Sequence, residues 1–218
     1  VGSEMCIRDR TTIALPAIQT EVMKRLNLLG KSLIFICMSG GAMSFNWEVE
    51  NLPVIIQAWY GGQSTGTALA DILFGRYNPS GKLPVTFYHS DADLPPIKDY
   101  SMSNRTYRYF GGDVLYPFGY GLSYTSFKYK KLECPSEVQI GDTLNVKVEV
   151  SNTGKFAGEE VVQLYLSHKA IAQEAPLCQL VRFKKVNLNP GENKVVEFKL
   201  SARAVSYTHL RAHETLAN

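Results

Sequence analysis

Leu144-Asn-Val-Lys-Val-Glu-Val150 alternates apolar and polar residues at every step. Side chains along a strand point to opposite faces with a period of two, so this stretch reads as a strand with one buried and one wet face. The period returns at Val162, Leu164 and Leu166, and again at Val196, Phe198 and Leu200. Gly141-Asp142, Asn152-Thr-Gly154 and Asn189-Pro-Gly191 separate the runs with residues that suit tight turns. Short alternating strands at this spacing predict an antiparallel β-sandwich from Thr125 to Leu200. A sandwich of this kind closes with about seven strands. The readable strands, counted from Phe127, end near Leu200, so an incomplete sandwich is expected.

Upstream the period changes. Leu15, Ile18, Val22, Leu26 and Leu29 follow helical spacing, with Pro16 near the first turn and Gly30 placed to cap the end. Ser32 to Met38 and Pro53 to Tyr60 are continuous apolar runs, as in strands covered on both faces. Ala68, Leu69, Ile72 and Leu73 restore helical spacing between Thr65 and Phe74, and Gly75 closes it. Asn78-Pro-Ser-Gly81 is a turn leading into a strand over Lys82-Leu-Pro-Val-Thr-Phe87. The chain is therefore expected to be α/β followed by all-β: part of an α/β domain, then the sandwich. Asp91 to Tyr124, rich in Tyr, Gly and Pro, is a long ordered connector or a functional loop.

Composition excludes several classes. Of 218 residues 45% are hydrophobic and 20% charged, which fits a folded globular chain rather than a disordered one. A net charge of +3, evenly spread, implies neither nucleic acid nor anionic lipid as partner. The longest apolar runs are too short to span a bilayer. Cys37, Cys134 and Cys178 form no CxxC pair and have no neighbouring His, so zinc is not expected, no cofactor is indicated, and buried free thiols are the simplest reading. The termini, VGSEMCIRDR over 1–10 and VSYTHLRAHETLAN over 205–218, resemble translated sequencing-adapter sequence and are left out of the fold. That removes Cys6, His209 and His213 as site candidates and leaves His89 and His168.

Gly62-Gln-Ser64-Thr-Gly66 fits the G-x-S-x-G elbow of a serine hydrolase and lies between a strand and a helix. Such a site also needs an acid and then a histidine downstream. His89 is the one histidine left in the α/β part, with no clear acid between, so a close-packed glycine turn is the simpler account. Paired carboxylates would suit glycoside chemistry. Glu48 and Glu50 are close in sequence and Asp91, Asp93 and Asp99 follow, but spacing along a loop does not place two carboxylates on opposite sides of a sugar; a solvated loop with helix N-terminal acids is the expectation for these residues.

Five blocks occur in order: Thr11-Thr-Ile-Ala-Leu-Pro-Ala-Ile-Gln19, Gln57-Ala-Trp-Tyr-Gly-Gly62, Ala70-Asp-Ile-Leu-Phe-Gly75, Tyr77-Asn-Pro-Ser-Gly-Lys-Leu-Pro-Val-Thr-Phe87 and Tyr116-Pro-Phe-Gly-Tyr-Gly-Leu-Ser-Tyr124. This series resembles the C-terminal α/β sandwich domain of family-3 glycoside hydrolases. Asn152-Thr-Gly154, Gly158-Glu-Glu-Val-Val-Gln-Leu-Tyr165 and Asn189-Pro-Gly-Glu192 resemble the fibronectin type III-like module often fused behind it. The resemblance implies a retaining, exo-acting β-glycosidase of β-glucosidase or β-xylosidase type that acts on oligosaccharides or glycosides, periplasmic or secreted in the parent protein. In such enzymes the nucleophilic aspartate comes from an N-terminal barrel domain and the acid/base glutamate from upstream of the Thr11 block. Neither carries over, Glu4 does not inherit the role, and the chain by itself is expected to be inactive.

Within this frame residues 11–90 are assigned to the α/β sandwich domain, 91–126 to the connector and 127–204 to the fibronectin type III-like domain. Asn104-Arg-Thr-Tyr-Arg-Tyr-Phe110 combines flat rings with two guanidinium groups, the two chemistries that meet a sugar's C–H face and its hydroxyls. Arg105, Tyr107 and Arg108 are therefore the candidates for a substrate rim; the alternative is that they hold the connector in place, where Tyr and Arg are also favoured. Asn104-Arg-Thr106 also fits a glycosylation sequon. A non-catalytic module that packs on a partner domain or a carbohydrate surface is the second reading of the whole chain, and a serine hydrolase using Ser64 the third.

Overall fold

The computed structural model describes residues 11–96, 98–137, 142–167 and 176–201. Their contacts form two compact units. The first contains 11–76, 82–120 and 176–178; the second contains 77–81, 121–167 and 179–201. The stretch read as a connector is thus shared, with 91–120 in the first unit and 121–126 in the second.

In the first unit, helix α1 (Ala17–Asn27) starts after Pro16, whose fixed φ suits a helix entrance. Lys24 and Arg25 lie in its last turn, where cations oppose the helix dipole, and Gly30 at φ 66° turns the chain out. Strand β1 (Ile34–Cys37), helix α2 (Asn46–Asn51), strand β2 (Val54–Gln57) and helix α3 (Thr65–Leu73) follow. β1 and β2 pair in parallel from Ile34↔Val54 to Cys37↔Gln57. Ala14 makes a parallel bridge to Ser44, and Phe87 an antiparallel one to Tyr116. Cys37, Met43, Phe45 and Phe87 form the core, flanked by Phe35, Ile55, Trp59 and Tyr116. Phe45 meets the edges of Phe35 and Phe87 at 5.8 Å each, the arrangement that ring quadrupoles favour.

Three expectations change here. Lys82 to Phe87 is not a strand: only Phe87 bridges, and Leu83 exchanges backbone bonds with Gly119 and Tyr120. Pro84 within the stretch removes a donor that a ladder needs. The strands are not covered on both faces, since Ile34 and Val54 at their starts are exposed. Asn46 to Asn51 is a short helix with Glu48 in its first turn, as expected of a helix N-terminal acid, but Glu48 is not solvated, being only 1% exposed. Its carboxylate accepts from the Thr20 hydroxyl at 2.6 Å, which ties α2 to α1.

The second unit is the sandwich. β3 (Phe127–Glu133), β4 (Thr143–Asn152) and β7 (Asn193–Ser201) form one antiparallel sheet in the order β3-β4-β7. β5 (Gly158–Leu166) and β6 (Gln179–Leu188) form the other. Val146, Val148 and Val150 of β4, Val162 of β5, Leu188 of β6, and Val196 and Phe198 of β7 make one buried cluster. Every one of the alternating apolar positions quoted for β4 and β7, Leu144 and Leu200 included, faces inward or half inward. Asn152 is buried among them with its side chain fully used. It donates to the carbonyls of Phe156 (2.8 Å) and Leu188 (3.0 Å) and accepts from the Thr125 hydroxyl (2.7 Å) and the Gly154 N–H (3.0 Å).

The Asn78-Pro-Ser-Gly81 turn belongs to this unit. Asn78 donates to the Ala157 carbonyl and accepts from Ser123 Oγ and the Tyr124 N–H, each within 2.9 Å. Glu159 on β5 accepts from Tyr77 Oη at 2.7 Å and pairs with Lys185 Nζ at 2.5 Å. On the other sheet, Tyr129 donates to the buried Glu160 at 2.7 Å; burial, then that carboxylate, push the phenol pKa far up and keep it a donor.

Candidate functional site

The carboxyl ends of β1 and β2 open side by side, the edge at which parallel sheets place ligands. After β1 come Met38, Ser39, Gly40 and Gly41; after β2 come Ala58, Trp59, Tyr60, Gly61 and Gly62. Ala58 N–H donates to the Cys37 carbonyl at 2.9 Å and locks the two exits together. Gln57 Nε2 donates to Ser39 Oγ at 3.0 Å, and Ser39 Oγ donates to the Gly41 carbonyl at 2.8 Å, which stiffens the glycine loop. Gln57 Oε1 is buried with no hydrogen bond among the described residues. Trp59 has φ 55°, a left-handed conformation that costs a bulky residue roughly 1–3 kcal/mol.

That turn sends Trp59 inward, where its ring meets Phe87 at 6.1 Å, and leaves Tyr60 outside. Tyr60 lies on Gly40: a Cβ added there would sit 2.8 Å from the ring's Cε2. Strained conformations of this kind concentrate where a surface must be held in one shape. The sequence contains Gln57-Ala-Trp-Tyr-Gly-Gly62 in plain view, but nothing in the residue types says that Trp59 takes a positive φ.

A second polar cluster gathers around His89. Its carbonyl accepts from Ser44 Oγ at 2.5 Å and from Asn46 Nδ2 at 2.8 Å, and its Nδ1 lies 2.7 Å from Asn46 Oδ1. Nε2 is 3.5 Å from Asp113 Oδ2 without a formed hydrogen bond, so that attraction operates only when the ring is protonated. Ser44, Asn46 and Asp113 were not among the sequence candidates, because their contacts with His89 join segments that are distant in the sequence.

The expected residues are placed as follows. Ser64 is exposed at the start of α3 with φ −92° and makes no capping bond, whereas Thr65 donates its hydroxyl to the Gly62 carbonyl. A nucleophile elbow strains its serine; here that residue is relaxed, and the imidazole of His89 faces Asn46 and Asp113. Asp91 is tied to Thr12 Oγ1 and to the Ile13 N–H, which lower its pKa in that order. Asp93 closes a capping box with Ser90, and Asp99 accepts from the Ser101 N–H, which lowers its pKa. Glu50 is exposed.

Arg105 precedes the short helix α4 (Thr106–Tyr109) and donates to the carbonyls of Pro96, Asp99 and Ser101, so its fork organises that loop. Tyr107 stacks on Phe118 at 4.0 Å and 12°. The Arg108 carbonyl accepts from Leu177 N–H at 2.6 Å, and its half-buried guanidinium makes no hydrogen bond or ion pair among the described residues. Tyr88 accepts from the Thr106 N–H at 3.0 Å; burial raises its pKa, partly offset by that bond. Asn104 and Thr106 of the sequon both have positive φ. Cys37 is buried, Cys134 exposed and Cys178 half-buried, all as free thiols, so the expected burial fails for Cys134. Among the described residues no group of His, Cys, Asp and Glu is arranged to hold a metal, and no helix is long and apolar enough to cross a membrane.

The sequence profile of the Glycosyl hydrolase family 3 C-terminal domain matches residues 2–124, more than half of the 218. The chain belongs to glycoside hydrolase family 3. A Fibronectin type III-like domain profile matches 160–217. A xylan 1,4-β-xylosidase of Xylanibacter ruminicola is 44% identical over 199 residues, covering 91% of this chain and 23% of the relative. A periplasmic β-glucosidase of Salmonella typhimurium is 36% identical over 212 residues, covering 91% and 28%. A β-glucosidase structure from Erythrobacter marinus superposes with a TM-score of 0.79 at 40% identity, covering 90% of this chain and 26% of that one. One from Listeria innocua in complex with glucose gives 0.77 at 31%, covering 88% and 29%. The chain thus spans about a quarter of the length of the relatives it matches. An α/β domain followed by a fibronectin type III-like domain is the arrangement of this family 3 chain.

Proposed function

We propose that this chain is the accessory, substrate-framing part of a retaining exo-acting β-glycosidase, and that it does not hydrolyse glycosides alone. The relatives are named as β-xylosidases and β-glucosidases, which supports a terminal xylose or glucose as the sugar removed. Retention requires a nucleophilic carboxylate and an acid/base carboxylate about 5 Å apart across the glycosidic bond. The observation that carries the reading is the occupation of the carboxylates at hand. Glu48 is buried against Thr20, Asp91 holds Thr12 and Ile13, and Asp93 and Asp99 close local turns. The aspartate nucleophile and the glutamate acid/base are then supplied by sequence outside 11–204, the nucleophile by a barrel domain. Arg105, Tyr107 and Arg108 remain the proposed substrate rim: Arg108 supplies the guanidinium, and Arg105 and Tyr107 hold the backbone that presents it. The test is to incubate the purified chain with p-nitrophenyl β-glucoside and β-xyloside. No turnover above buffer is expected; turnover abolished by Glu48→Gln would overturn the reading and make Glu48 the acid.

A further inference from the structure

We propose that Tyr60 is a sugar-stacking platform, a pyranoside-binding surface at the carboxyl edge of β1 and β2. The inference deepens the reading given under Proposed function and rests on it for the class of ligand. Four features converge on this ring. It stands at the sheet edge where an α/β fold receives ligands. The left-handed turn at Trp59 anchors the preceding side chain against Phe87, so the backbone that carries Tyr60 is fixed from below. Gly40 lets the ring lie directly on the loop after β1, and no other residue type fits under it without displacing the ring. The Gln57–Ser39–Gly41 chain of hydrogen bonds holds that loop in place. One side of the ring is therefore seated, while the residue remains 58% exposed.

An aromatic ring that is rigidly seated on one side and open on the other suits a flat array of C–H groups, which a β-pyranoside presents on each face of its chair. Tyrosine adds a hydroxyl at the ring's edge that donates to or accepts from a sugar hydroxyl. Preorganisation is what a strained turn secures here, because a ring that does not have to be ordered on binding loses less entropy. The platform differs from the rim residues Arg105, Tyr107 and Arg108, which lie on a separate segment of the same unit.

The experiment is saturation-transfer NMR on the 218-residue chain with methyl β-xylopyranoside and methyl β-glucopyranoside, using sorbitol as an open-chain polyol control. Transfer is expected to the axial ring protons of both pyranosides and not to sorbitol. Tyr60→Ala should reduce it about fivefold, the loss of one ring contact, while Tyr60→Phe retains most of it. Gly40→Ala, which pushes the ring off its seat, should reduce it as Tyr60→Ala does. Circular dichroism checks that each variant stays folded, and Tyr60→Phe keeps the test valid if the alanine variant does not. Absence of transfer in the parent chain, equal transfer to sorbitol, or transfer unchanged by Tyr60→Ala would each overturn the platform. None of these bears on hydrolysis, which the aryl-glycoside assay reads separately.

Discussion

The two units solve the burial problem differently. In the sandwich unit, alternate residues of four strands meet in one buried cluster, from Val146 to Phe198. In the α/β unit, α1 and α3 bury none of their residues; Ile18, Val22 and Leu26 lie open along α1 at helical spacing, and Leu29 just beyond its end is open too. Its core gathers instead on β1, the loops and the aromatic rings of Phe45 and Phe87. An amphipathic pattern therefore reports which face of an element is able to pack, and says nothing of whether this chain supplies the partner. Stability in the first unit must come from loop contacts and polar ties such as Thr20–Glu48; in the second it comes from two facing sheets.

That contrast is open to attack by mutation. Among the side-chain truncations the largest effect is expected at Asn152, where Asn152→Ala removes four side-chain hydrogen bonds and strands the Leu188 carbonyl in the core. A loss of roughly 3–5 kcal/mol is expected by urea unfolding. A loss below about 1 kcal/mol, the scale of one ordinary hydrogen bond, would show that the sandwich does not depend on this hub. Next comes Phe87→Ala, which opens a cavity in the α/β core; about 3 kcal/mol is expected, read from the fluorescence of Trp59, whose ring contacts Phe87. If Trp59 emission were unchanged and only the sandwich weakened, the core described for the first unit would be misassigned.

A pH titration tests the sandwich again. Lys185, then Tyr77, hold the Glu159 pKa below its ordinary value. A carboxylate depressed in the folded state stabilises it above the unfolded pKa, about 4.3, and that contribution is lost as pH falls through the lower folded value. Thermal unfolding of the parent chain should therefore weaken below about pH 4 more steeply than that of Glu159→Gln. Parallel acid limbs in the two proteins would remove Glu159 from the account. The smallest effect is predicted on α1: Ile18→Gln should change stability by no more than about 0.5 kcal/mol, as at ordinary surface sites. Val196→Gln, at a position of the same hydrophobic type but 1% exposed, should cost about 2–3 kcal/mol. Comparable losses from the two substitutions would erase the distinction between the units.

Local chemistry alone determined a great deal. The switch from helical period to period two, the turns at Asn152-Thr-Gly154 and Asn189-Pro-Gly191, the glycine endings of α1 and α3, and the ordered blocks that mark family 3 are all consequences of neighbouring residues. Pattern reads these well because strand alternation and helix capping act over a few residues. Tertiary structure decided the rest. Glu48 looks like a surface acid in Trp47-Glu-Val-Glu-Asn51, and only the approach of Thr20 from α1 makes it a buried one. Arg105 looks ready for a ligand, and only the approach of Pro96, Asp99 and Ser101 gives its fork three carbonyls. Trp59 and Tyr60 look alike in sequence, yet the backbone turn between them sends one ring into the core and sets the other on Gly40. Burial and hydrogen-bond partners are properties of contacts between distant segments, so no window of sequence contains them.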